Sequence, residues 1–128
     1  MSQTAQDSDV DNRPDGRPVA GILVVWSGDG PQLLTLRVPP PGLVLGRESL
    51  IQTCDDRLSR QHVRIRWNGT RFQVADLGSR NGTFVGGSLV ADGEVTALPP
   101  VVVRTGRTVS VLVSDIEPFE NTSVTTEG

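Results

Sequence analysis

No part of this sequence sustains the apolar repeat of a long helix. Its hydrophobic residues come in short runs that end within a few positions at Gly, Pro or Asn. In residues 63–67 the alternation is strict: Val63, Ile65 and Trp67 belong to one face, Arg64 and Arg66 to the other. A half-buried strand imposes that period of two. Leu34, Leu36 and Val38 repeat it. Phe72 and Val74 resume it after Asn68-Gly69, a pair that favours a two-residue hairpin turn. Residues 22–26 form a run rich in β-branched side chains, closed by Gly28-Asp29-Gly30-Pro31, and Pro39-Pro40-Pro41-Gly42 ends the next strand. Asn81-Gly82 marks another tight turn before Thr83-Phe84-Val85. Residues 100–104 and 107–113 read as a closing strand pair around Thr105-Gly106. Many short strands with closely spaced turn signals predict an all-β fold, a β-sandwich of two mainly antiparallel sheets.

A chain of 128 residues is long enough for one domain with one core. Residues 1–18 are polar, with Asp7, Asp9, Asp11 and Asp15, and are expected to form a disordered acidic tail. The ordered domain is expected over residues 19–115, followed by a second loose tail over 116–128. No apolar run approaches the roughly 18 residues that cross a bilayer. The N-terminus lacks the basic-then-apolar pattern of a secretory leader. Cys54 has no internal disulfide partner, and an inert thiol is expected there. These features set a cytoplasmic, membrane-free expectation.

The net charge of −3 opposes a general nucleic-acid binder, but the charge is unevenly spread. All twelve basic residues are arginine. Six of them (Arg57, Arg60, Arg64, Arg66, Arg71 and Arg80) fall between residues 57 and 80, where Asp76 is the single acid. This part of the chain can therefore carry a local positive field. Gly46-Arg47, Ser59-Arg60-Gln61-His62 and Ser79-Arg80-Asn81-Gly82 sit at turns between strands. Loops there would present a guanidinium fork, a hydroxyl and a side-chain amide, which suits a phosphate group and the peptide that bears it. Each segment alone has a plainer reading: Asn81-Gly82 as a turn, Ser59 as a cap, Arg47 as a surface charge. Arg64 and Arg66 are expected on a solvated strand face, and Trp67 and Phe72 in the core.

Other chemistries fit less well. A hydrolase would recruit Ser59, His62 and Asp76, but there is no Gly-x-Ser-x-Gly elbow and the histidine lies three residues from the serine. One His and one Cys do not assemble a usual metal site. The absence of lysine closes the Gly-x-x-x-x-Gly-Lys phosphate loop. A nucleic-acid-binding module using the arginines between residues 57 and 80 is the alternative from another class. Five aromatics and an acidic balance speak against it.

Gly-Arg at 46–47, Ser-x-x-His at 59–62 and Asp-Leu-Gly-Ser-Arg-Asn-Gly-Thr at 76–83 together resemble the forkhead-associated (FHA) domain of bacterial proteins. The resemblance covers roughly residues 20–114. It implies a twisted sandwich of about eleven short strands and a non-enzymatic, cofactor-free role in binding phosphothreonine peptides. Arg47 would pair with the phosphate, and Ser59 would donate its hydroxyl to it. Arg60 and Arg80 match positions that touch phosphate or peptide, and Asn81 one that grips the peptide main chain. Gly46, His62 and Gly82 match loop-shaping positions. The implied partner is a phosphothreonine protein, a Ser/Thr kinase or its substrate, bound by a monomer. Similar modules stand at the front of enhancer-dependent bacterial transcription activators. Thr4, Thr122, Thr125 and Thr126 in the tails offer phosphorylation sites for a self-binding switch. Gly86-Gly87 replaces the Asn-Gly of many members, so an altered turn with binding retained is expected. Residues 92–100 match the family's usual ending poorly.

Overall fold

The computed structural model describes residues 16–50 and 55–122. Cys54, Thr4, Thr125, Thr126 and most of the acidic N-terminal segment lie outside the described residues. The alternating runs become strands: β1 (Gly21–Ser27), β2 (Gly30–Arg37), β3 (Leu43–Leu45), β4 (Val63–Trp67) and β5 (Phe72–Asp76). They continue as β6 (Thr83–Val85), β7 (Ser88–Leu89), β8 (Glu94–Ala97), β9 (Val101–Thr105) and β10 (Thr108–Val113). A single-turn helix, α1, spans Glu117–Thr122. The described residues thus hold ten strands, one fewer than the resemblance implies.

Two antiparallel sheets form the sandwich. One runs β2-β1-β10-β9-β6-β7 and the other β3-β4-β5-β8. Ile22, Val24, Val103 and Leu112 from the first meet Leu45, Val63, Ile65, Phe72 and Val74 from the second, all essentially inaccessible to solvent. Each such side chain contributes about 1.5–3 kcal/mol by leaving water. Phe72 is fully buried and Trp67 packs on it half-buried, with ring centroids 4.6 Å apart.

Register decides where the loops meet. Leu45 pairs with Val63 and Val63 with Asp76, so β3 ends, β4 begins and β5 ends at one edge of the small sheet. In the large sheet Ser27 pairs with Thr108, Thr108 with Thr105 and Thr105 with Thr83. The segments 46–50, 55–62, 77–82 and 106–107 therefore gather at one end of the sandwich. Beneath them lie the buried polar residues Ser27, Asp55, His62, Thr83, Thr105 and Thr108.

The first hairpin and the start of the C-terminal tail depart from expectation. Asn68-Gly69 does not make a two-residue hairpin, because Trp67 pairs with Phe72 across a four-residue loop. The Asn68 Oδ1 accepts from the N–H groups of Thr70 (2.8 Å) and Arg71 (2.7 Å), which stabilises the longer turn. The turn at Asn81-Gly82 joins strands of different sheets. Residues 116–122, the described part of the tail expected over 116–128, are ordered. Ile116 is fully buried, its N–H donates to the Val19 carbonyl (2.8 Å), and α1 follows. Arg64 and Arg66 alternate with the buried Val63 and Ile65 on the partly exposed face of β4, as expected, and Arg66 lies 3.4 Å from Glu94. Residues 92–100 contain β8, which extends the small sheet by pairing with β5.

Candidate functional site

The loop after β5 folds around the Asp76 carboxylate. One oxygen accepts from the N–H groups of Gly78 (3.1 Å) and Ser79 (3.0 Å), the other from the hydroxyls of Ser79 (2.6 Å) and Thr83 (2.7 Å). The Ser79 hydroxyl in turn accepts from the Gly82 N–H at 2.9 Å. Burial by itself would raise the Asp76 pKa. The hydrogen bonds from Ser79 and Thr83 outweigh it and hold the carboxyl below its ordinary 3.8. Residues 76–83 are thereby fixed as a rigid arch with Arg80 and Asn81 at its exposed crest.

His62 ties this arch to the preceding loop. The ring is fully buried. Its Nδ1 accepts from the Ser59 N–H (3.1 Å) and its Nε2–H donates to the Gly82 carbonyl (2.7 Å). A backbone N–H only donates and a carbonyl only accepts, so these partners select the neutral Nε2–H tautomer. Both nitrogens are occupied, and neither serves the Ser59 hydroxyl as a general base. The scaffold reading of His62 fits this geometry; the Ser59–His62–Asp76 hydrolase reading does not.

Arg47 is held close to Ser59 by a backbone clasp. The Arg47 N–H donates to the Ser59 carbonyl (3.0 Å) and the Glu48 N–H to the Arg60 carbonyl (3.3 Å). Gly46 makes the clasp possible, since a Cβ there would sit 2.2 Å from the Arg60 carbonyl oxygen. On the other side the Ser59 hydroxyl oxygen accepts from the Arg80 N–H (3.1 Å), which leaves its own hydrogen available to donate outward. The Asn81 Nδ2 donates to the Arg57 carbonyl (2.9 Å), which fixes the amide and leaves its Oδ1 facing away from that bond.

These contacts surround one open cavity of about 220 Å³ lined by Arg47, Asp56, Arg57, Leu58, Ser59, Arg60, Arg80 and Asn81. All five residues expected to contact a ligand line it, with Gly46, His62 and Gly82 in the supporting loops. The guanidinium groups of Arg47, Arg57, Arg60 and Arg80 have no hydrogen-bond or ion-pair partner among the described residues and are exposed. Asp56, the single carboxylate in the lining, lies 3.5 Å from Arg107, which also pairs with Asp29. The remaining arginines of the basic stretch go elsewhere. Arg64 and Arg66 are on β4, and Arg71 is in the turn at the opposite end.

Sequence reasoning passed over two contributors. Arg57 was visible only as the start of the basic stretch. Asp55 is buried beneath the cavity. Its carboxylate accepts from the N–H of Arg57 (2.9 Å), the N–H of Arg107 (2.8 Å) and the Thr108 hydroxyl (2.6 Å). The Ser27 and Thr108 hydroxyls lie 2.8 Å apart, completing a relay from β1 through β10 to the loop. Nothing local in Asp55-Asp56 tells which of the two turns inward. The departure at Gly86-Gly87 is accommodated: both residues have positive φ (58° and 90°), as the β6–β7 hairpin turn requires.

Residues 43–111 match the family model described as FHA domain. The FHA domain-containing protein FhaA of Mycobacterium tuberculosis is 38% identical over 66 residues, covering 46% of this chain and 12% of FhaA. The chain thus spans only a small part of that relative's length. The fold is similar to a chain solved in a structural and functional analysis of phosphothreonine-dependent FHA domain interactions, at TM-score 0.60 and 28% identity. That match covers 74% of this chain and 95% of the other. It is also similar to the FhaA FHA domain complexed with the intracellular domain of Rv3910, at TM-score 0.59 and 28% identity, covering 73% and 98%.

Proposed function

The chain belongs to the FHA family, and from that premise we propose that it is a non-catalytic module that binds phosphothreonine peptides in the cavity between Arg47, Ser59 and Asn81. One observation carries the reading: unpaired guanidiniums, a hydroxyl with a free hydrogen and an oriented amide line the same cavity. A phosphothreonine brings a charge of about −1.5 to −2 and three strong acceptor oxygens. Arg47 meets two of these with its planar fork, and Ser59 donates to the same group. Arg60 and Arg80 close on the phosphate and the peptide backbone from either side. Asn81 hydrogen-bonds the main chain beside the phosphothreonine and sets its direction, which charge alone does not. The backbone of the loops, the Ser59 hydroxyl and the Asn81 amide are held in place before the ligand arrives, whereas the arginine side chains are ordered on binding.

The partner is a phosphorylated protein in Ser/Thr-kinase signalling, bound by a monomer in the cytoplasm. The FhaA FHA domain, solved with the intracellular domain of another protein, supports a protein partner. A position at the front of a transcription activator is one setting for such a module. Titrating the protein with a phosphothreonine peptide, its unphosphorylated twin and an oligonucleotide tests the function. Binding of the phosphopeptide alone is expected. Equal binding of both peptides, or preference for the oligonucleotide, would overturn it.

A further inference from the structure

The two sheets differ in what they turn outward. β4 reads Val-Arg-Ile-Arg-Trp and keeps its arginines on the outer side. β1 reads Gly-Ile-Leu-Val-Val-Trp-Ser, with no alternation, and β10 turns Val109, Val111 and Val113 away from the core. A strand with one face in water alternates, whereas an unbroken apolar run belongs to a strand covered on both faces. Register sets the outward residues of the large sheet in two rows. Thr35, Leu23, Val111 and Val102 pair across one; Trp26, Val109, Arg104, Phe84 and Leu89 pair across the next. Trp26, Val102 and Leu89 are 42%, 48% and 56% exposed, so these rows form an apolar surface open to solvent. None of these residues lines the phosphothreonine cavity.

The neighbouring row is already covered, by a helix. A Cβ on Gly21 would fall on the Ile116 side chain, and α1 follows Ile116. Glu120 of α1 accepts from Arg37, the β2 partner of Gly21, at 2.8 Å. An isoleucine and a glutamate–arginine pair thus seat a helix on this sheet. The two open rows offer the same chemistry. Arg104 lies 4.1 Å over the Phe84 ring and has no carboxylate partner among the described residues. The rows contain no acid, so a second copy of the chain would add another arginine and leave both charges uncompensated. Together the rows cross six strands, about 24 Å at about 4.8 Å per strand, the length of a helix of about 16 residues. We infer that the outer face of the large sheet docks an amphipathic helix of a partner protein, its apolar stripe on the two rows and one carboxylate at Arg104.

The test selects helical peptides of that length, displayed on phage and randomised along one stripe, against the whole chain. The enriched sequences are then made as labelled peptides and titrated by fluorescence anisotropy. Apolar residues at i, i+3 or i+4, and i+7, with one aspartate or glutamate among them, are expected. Val102→Glu, and separately Leu33→Glu beside the rows on β2, replace exposed side chains, so the melting temperature should hold. Each should weaken the peptides at least about tenfold by setting a carboxylate against the apolar stripe. Changing the peptide's carboxylate to its amide should cost about two- to fivefold on the unsubstituted protein and nothing on Arg104→Gln. Failure to enrich any helix, or peptides that bind both folded glutamate variants undiminished, would overturn the inference. An equal amide effect on Arg104→Gln would overturn the part given to Arg104. Sedimentation showing a dimer that Val102→Glu dissociates would overturn it in favour of a second copy. Pelleting with phosphatidylcholine–phosphatidylglycerol vesicles, lost in Val102→Glu, would overturn it in favour of a lipid surface.

Discussion

Gly46 and Arg47 are neighbours with opposite sensitivities. A side chain at Gly46 would meet the Arg60 carbonyl oxygen at 2.2 Å, and that oxygen belongs to backbone that is itself bonded to Glu48. Gly46→Ala is therefore expected to destabilise the fold by about 1–3 kcal/mol, the cost of forcing atoms into a filled space. Urea unfolding measures it. The Arg47 side chain is exposed and makes no hydrogen bond or ion pair among the described residues, so Arg47→Ala should leave unfolding unchanged. It should weaken phosphopeptide binding by at least about 2 kcal/mol, the scale of a lost charge-assisted contact. Calorimetric titration beside a circular-dichroism melt separates the two outcomes. Both residues were legible in the sequence as a pair, Gly-Arg at the end of an apolar run. Why the glycine is needed was not legible, because the obstructing carbonyl comes from 14 positions later in the chain.

The arch over residues 76–83 behaves as a unit because one carboxylate accepts four hydrogen bonds within it. With its pKa depressed when folded, Asp76 contributes stability that is complete above 3.8 and is lost as pH falls through the lower folded value. Asp76→Asn keeps one carbonyl acceptor and loses the other, leaving donors without a partner. A loss of about 1–3 kcal/mol at neutral pH is expected. Unfolding curves of the variant and the unsubstituted protein should converge as pH is lowered below 3.8 and through the depressed folded value. A gap that stays constant with pH would count against the role of the carboxylate charge. The motif was legible here as a string of turn formers, and the crest residues were readable from it. That Asp76 is the centre of the arch was not, since its partners Ser79 and Thr83 are defined by the fold of the loop.

At the scale of the molecule, the start and end of the domain are sewn together. Val19 accepts from Ile116 and donates to Asp115, and Ile116 packs against Gly21, where a Cβ would lie 2.4 Å from its own. Ile116→Ala is expected to cost about 2–5 kcal/mol of stability by leaving a cavity. Phosphopeptide affinity of the folded variant should be unchanged, because the site lies among loops of other strands. Thermal melts paired with anisotropy titrations test both halves. Binding itself should weaken as salt rises, since exposed guanidiniums at the cavity act through a field screened over about 10 Å at 0.1 M. Folding should be less sensitive to salt, because its core is apolar. Among the described residues, no helix is long and apolar enough to cross a membrane.

Period-two alternation and the placing of glycine, proline and asparagine determined the strands and the all-β class, because those signals act between neighbours in the chain. The order of Arg47, Ser59 and Asn81 was set in the same linear text. Tertiary structure alone decided that they share one cavity, with Arg57 beside them and Asp55 beneath. Those relations depend on strand register across two sheets and on hydrogen bonds spanning up to 81 positions. No local pattern encodes them, since which of two adjacent aspartates turns inward is settled by what the opposite strand brings to meet it.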